Sequence, residues 1–599
     1  MFRFILHNRV PAIMNYNLNQ LSPQQEKQST YKALKRLLKL ISAERKNLWL
    51  ALIIILFNSG LLLLGPLIFG HTVDAYIRTK QYHGLLVSGA ILLGMYLVAM
   101  FTGYTQTKLM GGIGQRMLYT LRNAIFNKLQ SLPVSFFSQN KAGDLISRVN
   151  NDTDKLNQFF SQSLMQFIGS IVTMIGAGIF LLSIHIDLGA ATLAPAVFIV
   201  LFTTVLSPWV KRKNAKNLKS VGGMSAEIQE SLNNFKVIIA FNRRDYFRKR
   251  FDEANKENYK TAIGAGLANN IFLPVYSLFS SIAQLIVLLY GIHLISIGDF
   301  SIGLLVSYIA YSTNFYNPLR QLAALWTSFQ VAMASWDRIS QILLLETDLK
   351  QIESTETNLS NALLEFKNVH FSYDEGKEIL HHINLTFEKG KTYALIGPTG
   401  GGKTTTASLI ARLYDATSGM VLLNGKDIRT FSDEERTKRI GFILQEPFLF
   451  TGTVKDNILY GNSQYKDVSD EELKQIIENA NLNALLAIFD EGLNTQITSG
   501  ADSISLGQKQ LIAFMRAVLR NPDLLILDEA TANIDTITEQ LLGSILNKLS
   551  KETTLVIIAH RLNTIENADE IYFVNEGEVQ KAGTLQHALD MLLKGKRVS

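Results

Sequence analysis

Gly397-Pro398-Thr399-Gly400-Gly401-Gly402-Lys403-Thr404, then Ser505-Leu506-Gly507-Gln508, then Leu525-Ile526-Leu527-Asp528-Glu529, are the stretches that decide the fold of this chain. The first lies between the apolar run Thr392 to Ile396 and a segment of helical composition that starts near Lys403. Glycines at this spacing let backbone N–H groups converge on phosphate oxygens, and the helix amino terminus adds positive partial charge. Lys403 reaches the β- and γ-phosphates of a nucleoside triphosphate, and Thr404 is placed to hold a magnesium ion. Asp528 follows four apolar residues, as a carboxylate does at the carboxyl end of a buried strand, and is assigned to the same metal.

Composition indicates what this nucleotide site is attached to. The chain has 599 residues, enough for two to four domains. Charged residues make up 18% of it, against roughly 25% in a typical soluble protein. The deficit falls in the first 340 residues, where charge vanishes over six intervals: Asn47 to Thr72, Gln81 to Thr107, Leu156 to Ile186, Leu188 to Val210, Thr261 to Gly298 and Phe300 to Leu319. Each reaches the roughly 20 residues that a helix needs to cross a hydrocarbon core. A single run could be a buried core helix, but six in series predict a membrane domain.

Lys and Arg orient these spans. They cluster before the first span (Lys32, Lys35, Arg36, Lys39), between the second and third (Arg116, Arg122, Lys128, Arg148) and between the fourth and fifth (Lys211, Arg212, Lys213, Arg243). The positive-inside rule then predicts both termini and the nucleotide site in the cytoplasm, with the chain in the cell's inner (plasma) membrane. The same bias accounts for the net charge of +7 without a nucleic-acid partner, since no compact basic domain is present. Met1 to Ala12 carries Arg3 and Arg9 among its apolar residues and does not resemble a cleaved signal; translation could begin at Met14. The absence of cysteine removes disulfides, thiolate metal sites and thiol catalysis.

Four regions are expected. Residues 1–46 form a cytoplasmic segment in which Leu34, Leu37, Leu38 and Ile41 have helical spacing, either as an amphipathic surface helix or as a continuation of the first span. Residues 47–340 form the transmembrane domain of six helices, two of whose cytoplasmic connections are about 50 residues long and predict helices that extend well past the bilayer. Gly65-Pro66 and Pro274 mark bends. Residues 341–361 read as a polar linker, and 362–594 as an α/β domain with strands at Glu365 to Tyr373, Thr392 to Ile396, Ile440 to Leu444, Leu524 to Asp528, Thr554 to Ala559 and Glu570 to Val574.

Ser505-Leu506-Gly507-Gln508, between the Gly-Lys-Thr loop and Asp528-Glu529, resembles the signature of the ABC-type ATPase family. Six spans followed by such a domain resemble a type I, or type IV, ABC exporter half-transporter from about Ala33 to Leu593. The departures are Ile504 where the signature has Leu, and Met515 where an alanine is usual; both stay apolar. The resemblance implies an ATPase using ATP and Mg2+, with Glu529 polarising the attacking water, His560 contacting the γ-phosphate and Gln445 touching metal and water. It further implies that Tyr373 stacks on adenine, and that Gly397, Thr399, Gly400, Gly402, Lys403, Thr404 and Thr405 hold the phosphates. Ser505, Gly507 and Gln508, opening a helix read as Gln510 to Leu519, close on the nucleotide of a partner domain. Asn533 and Asp535 resemble the loop connecting the two sites. Ser135 to Asn140 and Ala240 to Asp245 look like the two coupling helices, the former ahead of Gly143-Asp144-Leu145-Ile146-Ser147-Arg148-Val149. The lack of cysteine excludes the cysteine-protease domain that some peptide-exporting relatives carry.

One ATPase domain per chain implies pairing with a second half-transporter. The stretch from the signature to Arg561 resembles the catalytically intact subunit of heterodimeric exporters, while every motif would also serve a homodimer. The expected activity is ATP-driven export of a small amphipathic, drug- or lipid-like substrate. An importer on the same fold and a nucleotide-gated regulator or channel remain alternatives. Tyr308, Tyr311, Asn314, Tyr316 and Asn317, with Asn269 and Asn270, are either lining of a substrate cavity or helix-packing residues.

Overall fold

The computed structural model describes residues 15–18, 44–347, 349–353, 362–374, 376–462, 464–466, 468–498, 504–528, 536–549, 552–558, 565 and 568–595. The expected amphipathic helix at Leu34 to Ile41 and most of the polar linker lie outside them. The chain divides into two compact units: one drawn from Glu26–Lys128 and Gly143–Leu343, the other from Met1–Gln25, Leu129–Ala142 and Leu344–Ser599.

The first unit is helical. Among the described residues, five helices or helix pairs are long and apolar enough to cross a membrane: Arg45–Ile77, Tyr82–Gln130, Ala142–Ile184, Ile186–Asn233 and Arg244–Ser296. The expected sixth forms a helix over Ile302–Leu344, but Ser307, Tyr308, Tyr311, Asn314 and Asn317 dilute its apolar character. Tyr82–Gln130 runs for 49 residues, or about 73 Å at 1.5 Å per residue, far longer than a hydrocarbon core of about 30 Å. The polar extensions expected past the bilayer are therefore continuous helix.

The proline expectations divide. Pro66 sits inside the continuous helix Arg45–Thr72, whereas the chain breaks at Ile271 and Pro274 lies in the first turn of Phe272–Ser296, where its missing N–H costs nothing. The last helix is docked by phenols. Tyr308 donates to the carbonyls of Leu181 and His185, Tyr311 to Leu63 (2.7 Å) and Tyr316 to Thr192 (2.7 Å), and all three are buried. An O–H away from water needs an acceptor, and helix carbonyls supply it. These tyrosines thus pack helices, the second of their two readings. Asn269 pairs with Asn214 instead of facing a cavity.

At one end of the first span Asp74 accepts from Ser301 and from the Gly303 N–H at 2.9 Å, capping the start of the last helix from another element. Farther along the chain, Arg148 is 3% exposed and donates to Asp144 (2.9 Å), to the Arg338 carbonyl (2.7 Å) and to Gln341 (2.8 Å). Arg338 returns to Asp144 at 2.7 Å. The Gly143 to Val149 motif is thereby pinned to the last helix.

Of the two segments expected as coupling helices, the first contains the helix Val134–Gln139; the second, Ala240 to Asp245, spans the turn Phe241 to Arg243 between the helix Arg244–Asn270 and the short helix Phe235–Ala240. Asn242 at φ +51° and the bond from the Arg243 N–H to the Ile238 carbonyl end that helix in a left-handed cap.

The second unit carries a six-stranded sheet in the order Glu578–Lys581, Glu570–Asn575, Thr392–Ile396, Thr554–Ile558, Leu524–Asp528, Ile440–Ile443, parallel except for its first edge strand. Thr392–Ile396, Leu524–Asp528 and Thr554–Ile558 are buried at every residue, which is why they read as continuous apolar runs. A second sheet pairs Ala362–Ser372 with Glu378–Glu388 and with Ser418–Leu423, antiparallel in both cases.

Candidate functional site

The Gly-rich loop leaves Thr392–Ile396 at the middle of the sheet and enters the helix Lys403–Ile410. Its path requires glycine. Gly397 has φ +150°, and a Cβ there would lie 1.9 Å from the Val574 carbonyl oxygen of the neighbouring strand. Gly402, the residue before the helix, has φ +112°. Thr399 and Gly400 form the exposed crown, while Lys403 is 6% exposed and donates to the carbonyls of Gly397 (2.8 Å) and Pro398 (3.0 Å). The ammonium is thus held inside the curl of its own loop, next to the amino terminus of a helix whose N–H groups point the same way.

Tyr373 stands beside this helix. Its hydroxyl is 3.1 Å from the Thr405 hydroxyl, and its ring packs edge-on against Phe371 (4.8 Å) and Tyr414 (5.1 Å), which leaves it 37% exposed. Asp528 ends the strand Leu524–Asp528, one strand beyond Thr554–Ile558 from the loop's strand, and is 3% exposed; Thr404 and Gln445 are exposed, the latter just past Ile440–Ile443. A hydroxyl, a carboxylate and an amide carbonyl form a hard-oxygen donor set, which fits a magnesium ion. Glu529, His560, Asn533, Asp535 and Arg561 lie outside the described residues.

The signature helix begins earlier than its composition suggests, at Leu506 and not near Gln510. Ser505 caps it: the Gln508 N–H donates to Ser505 Oγ at 3.1 Å and the Ser505 N–H to Gln508 Oε1 at 2.9 Å. This is a capping box, and Ser-x-x-Gln was a legible signal for it. Two turns on, Arg516 donates to the Phe448 carbonyl (3.2 Å) and to the Asn457 carbonyl (2.7 Å) and lies 5.4 Å from the Tyr460 ring. Burial lowers its guanidinium pKa from the usual value. The residue was not singled out from sequence, yet it ties the signature helix to the segment three residues after Gln445. A groove of about 220 Å³ opens there between Leu444, Phe448, Phe450, Tyr460 and Arg516.

Comparison with known proteins decides the family. Residues 48–319 match the ABC transporter transmembrane region and residues 380–532 the ABC transporter ATPase domain. The chain belongs to the ABC transporter family. It is 33% identical over 554 residues to an uncharacterised ABC transporter ATP-binding protein of Bacillus subtilis, covering 90% of each chain. A fatty acid ABC transporter ATP-binding/permease protein of Mycobacterium tuberculosis is 32% identical over 82% of this chain and 78% of its own length. A multidrug resistance ABC transporter ATP-binding and permease protein of Lactococcus lactis is 30% identical over 82% of this chain and 83% of its own. This ABC transporter is an exporter-type half-transporter, an ATP-binding ATPase coupled to transport, with its membrane region and ATPase domain in one polypeptide.

Proposed function

We propose that this half-transporter pairs with a second one, identical or homologous with a lean toward a heterodimer, and uses ATP clamped between the two ATPase domains to export a small amphipathic substrate. The proposed domain bounds are 47–340 for six membrane helices and 362–594 for the ATPase, with both termini on the cytoplasmic face of the inner membrane. In this reading the loop from Gly397 to Thr405 holds the phosphates, Lys403 turns from its own carbonyls to the β- and γ-oxygens, and Tyr373 stacks on adenine. Thr404, Asp528 and Gln445 would hold a magnesium ion, which supplies charge neutralisation at the β- and γ-phosphates. Glu529 polarises the attacking water and His560 contacts the γ-phosphate. Ser505, Gly507 and Gln508 present a capped helix terminus to the partner's nucleotide.

Because the nucleotide touches both domains only when they are together, its binding favours the closed pair. Moving such a balance from 1:99 to 99:1 takes about 5.5 kcal/mol, within reach of several charge-assisted phosphate contacts at two sites. The observation that carries the reading is the buried Lys403 curled into a glycine loop in a chain whose other half is apolar helix. Relatives named for multidrug and fatty acid transport support an amphipathic cargo. The test is ATP hydrolysis and ATP-driven accumulation of substrate in the lumen of inside-out vesicles holding the full chain, with its mate if one co-purifies. Glu529→Gln is expected to abolish both; flux that survives Glu529→Gln would favour a nucleotide-gated channel, and movement in the opposite direction an importer.

A further inference from the structure

An open cavity of about 330 Å³ lies on the membrane unit, between the first, second, third and last long helices. Asn58, Gln106, Gln166, Ser170, Thr173 and Gln321 provide its polar lining, and the remaining lining residues are apolar, small or hydroxyl-bearing. None of the lining residues is ionisable. Gln106 is 9% exposed, and among the described residues its Oε1 has no hydrogen-bond partner. Around it, Asn58 Oδ1 accepts from the Thr102 hydroxyl at 3.0 Å and Gln321 Oε1 from the Ser170 hydroxyl at 3.5 Å.

Of the four primary amides around this cavity, Gln106 is buried and Asn58 half-buried, whereas Gln166 and Gln321 are exposed, so the cost of an unsatisfied group falls on Gln106. A buried amide without a partner loses the hydrogen bonds it makes in water, and the loss is larger where no water can follow. A carboxylate entering this void would find no cation, and an ammonium no carboxylate. An amide, in either orientation of its group, offers both an uncharged donor and an uncharged acceptor. A charge at such a depth is expensive unless paired. The volume is at the low end of the range of small-molecule pockets, room for a head group and the first part of an alkyl chain.

We propose that this cavity is the head-group site of the exported substrate, and that it selects an uncharged amphiphile whose head group both donates and accepts hydrogen bonds, with Gln106 and Gln321 as specificity-determining residues. The proposal rests on the exporter reading above but is tested apart from it. Dodecanamide, laurate and dodecyltrimethylammonium share one alkyl chain and differ in head-group charge. Their equilibrium binding to the full-length chain in lipid nanodiscs, with empty nanodiscs subtracted, is expected to favour dodecanamide by at least about tenfold over both ions, the scale of one well-made hydrogen bond to a buried amide. Gln106→Leu and Gln321→Leu should each shrink that preference to less than about threefold. Gln106→Glu, which keeps the side-chain shape, should shift preference toward the ammonium probe.

Equal or tighter binding of laurate or the ammonium by the unsubstituted chain overturns the proposal, as does the absence of saturable binding of all three. A dodecanamide preference that survives both leucine substitutions also overturns it. The unsubstituted panel decides even where a variant fails to fold. Loss of Lys403-dependent ATP turnover in the same nanodiscs would overturn the exporter reading, while the binding ratios still report on the site.

Discussion

The Tyr16 hydroxyl donates a 3.0 Å hydrogen bond to the Glu346 carbonyl, across 330 positions of sequence. Its N–H donates to Gln139 Oε1 at 2.8 Å, its carbonyl accepts from Asn140 Nδ2 at 2.9 Å, and its ring meets Phe136 edge-on at 6.3 Å. With the Leu18 N–H on Asn140 Oδ1 at 3.1 Å, a short stretch near the amino terminus is strapped onto the helix Val134–Gln139. Tyr16 and Phe136 are both fully buried.

Tyr16→Ala should therefore loosen that helix. Removing a buried aromatic costs about 3–5 kcal/mol of local stability, whereas Tyr16→Phe removes only one hydrogen bond, about 0.5–1.5 kcal/mol. Limited proteolysis of the full chain, read by mass spectrometry, should show faster cleavage between Leu132 and Lys141 in the alanine variant and nearly unchanged cleavage in the phenylalanine one. Equal protection in both would mean that the strap does not hold the helix.

Arg148→Met tests the buried ion cluster. Asp144 would lose one of its two cationic partners and keep Arg338, which also pairs with the buried Asp152. Removing one member of a buried pair costs about 3–5 kcal/mol when the other is left alone; Asp144 is a third exposed and still paired, so the loss here should lie below that range. The variant should unfold at a clearly lower temperature, and Asp144→Asn in the same chain should recover part of the loss. A pair of variants that add independently would contradict the coupling.

The parts of this fold that could be read from sequence are those in which one local signal suffices. Thr392–Ile396 and Leu524–Asp528 match their expected ends because strands buried on both faces read as unbroken apolar runs. Glu378–Glu388 was missed. It faces a sheet on one side only, and its period of two is disturbed where it pairs with Ala362–Ser372: the register shifts between Phe366 and Val369, and both Asn368 and His382 have positive φ. The loop from Gly397 to Thr404 was legible because glycine is demanded by backbone geometry. Arg516 and Tyr16 were not, since each acts through partners distant in sequence that only the folded chain brings near. The tyrosines of the last helix were visible as polar groups in an apolar span, but whether they bond helix carbonyls or line a void depends on rotation of the helix about its axis.

Gly397→Ala should weaken ATP binding strongly with a modest effect on expression. The added methyl would sit 1.9 Å from the Val574 carbonyl oxygen, at a φ of +150° that L residues rarely adopt, so the loop must move away from its strand. Binding of a fluorescent ATP analogue to the full chain should fall by more than about tenfold, as expected for loss of one or more phosphate hydrogen bonds. Retained affinity would mean that the loop can shift without losing its phosphate-facing N–H groups.

Asp456 gives the chain an acid-sensitive cap. Its carboxylate accepts from the Thr453 N–H and the Thr453 hydroxyl, both at 2.8 Å, and these bonds hold its pKa below the ordinary value, the backbone bond first. A depressed carboxylate contributes stability that is complete above its unfolded pKa of about 3.9 and is lost as pH falls through the folded value. The melting-temperature gap between the unsubstituted chain and Asp456→Ala should stay constant from about pH 7 to about pH 5 and narrow below about pH 4. The side chain is exposed, so the gap should be small, at the low end of the cap scale of about 0.5–2 kcal/mol. A gap that widens on acidification would reverse the sign and remove the cap from the account.

Ser505 has two roles that one substitution can separate. Its Oγ accepts from the Gln508 N–H at 3.1 Å, a local task that stabilises the helix Leu506–Val518 within a single chain. The proposed second task is to meet the phosphate of the partner's ATP. Aspartate is as good an N-cap as serine, so Ser505→Asp should keep thermal stability within about 0.5 kcal/mol of the unsubstituted chain. The same carboxylate would place a negative charge where the reading brings a phosphate, and turnover should fall by at least about a hundredfold, the scale seen when one preorganised donor is lost. Ser505→Ala behaves differently: it loses the cap, at about 1 kcal/mol, as well as the hydroxyl. If Ser505→Asp hydrolyses ATP at an unreduced rate in the assembled transporter, capping is all that Ser505 does, and the phosphate contact belongs to the N–H groups of Gly507 and Gln508.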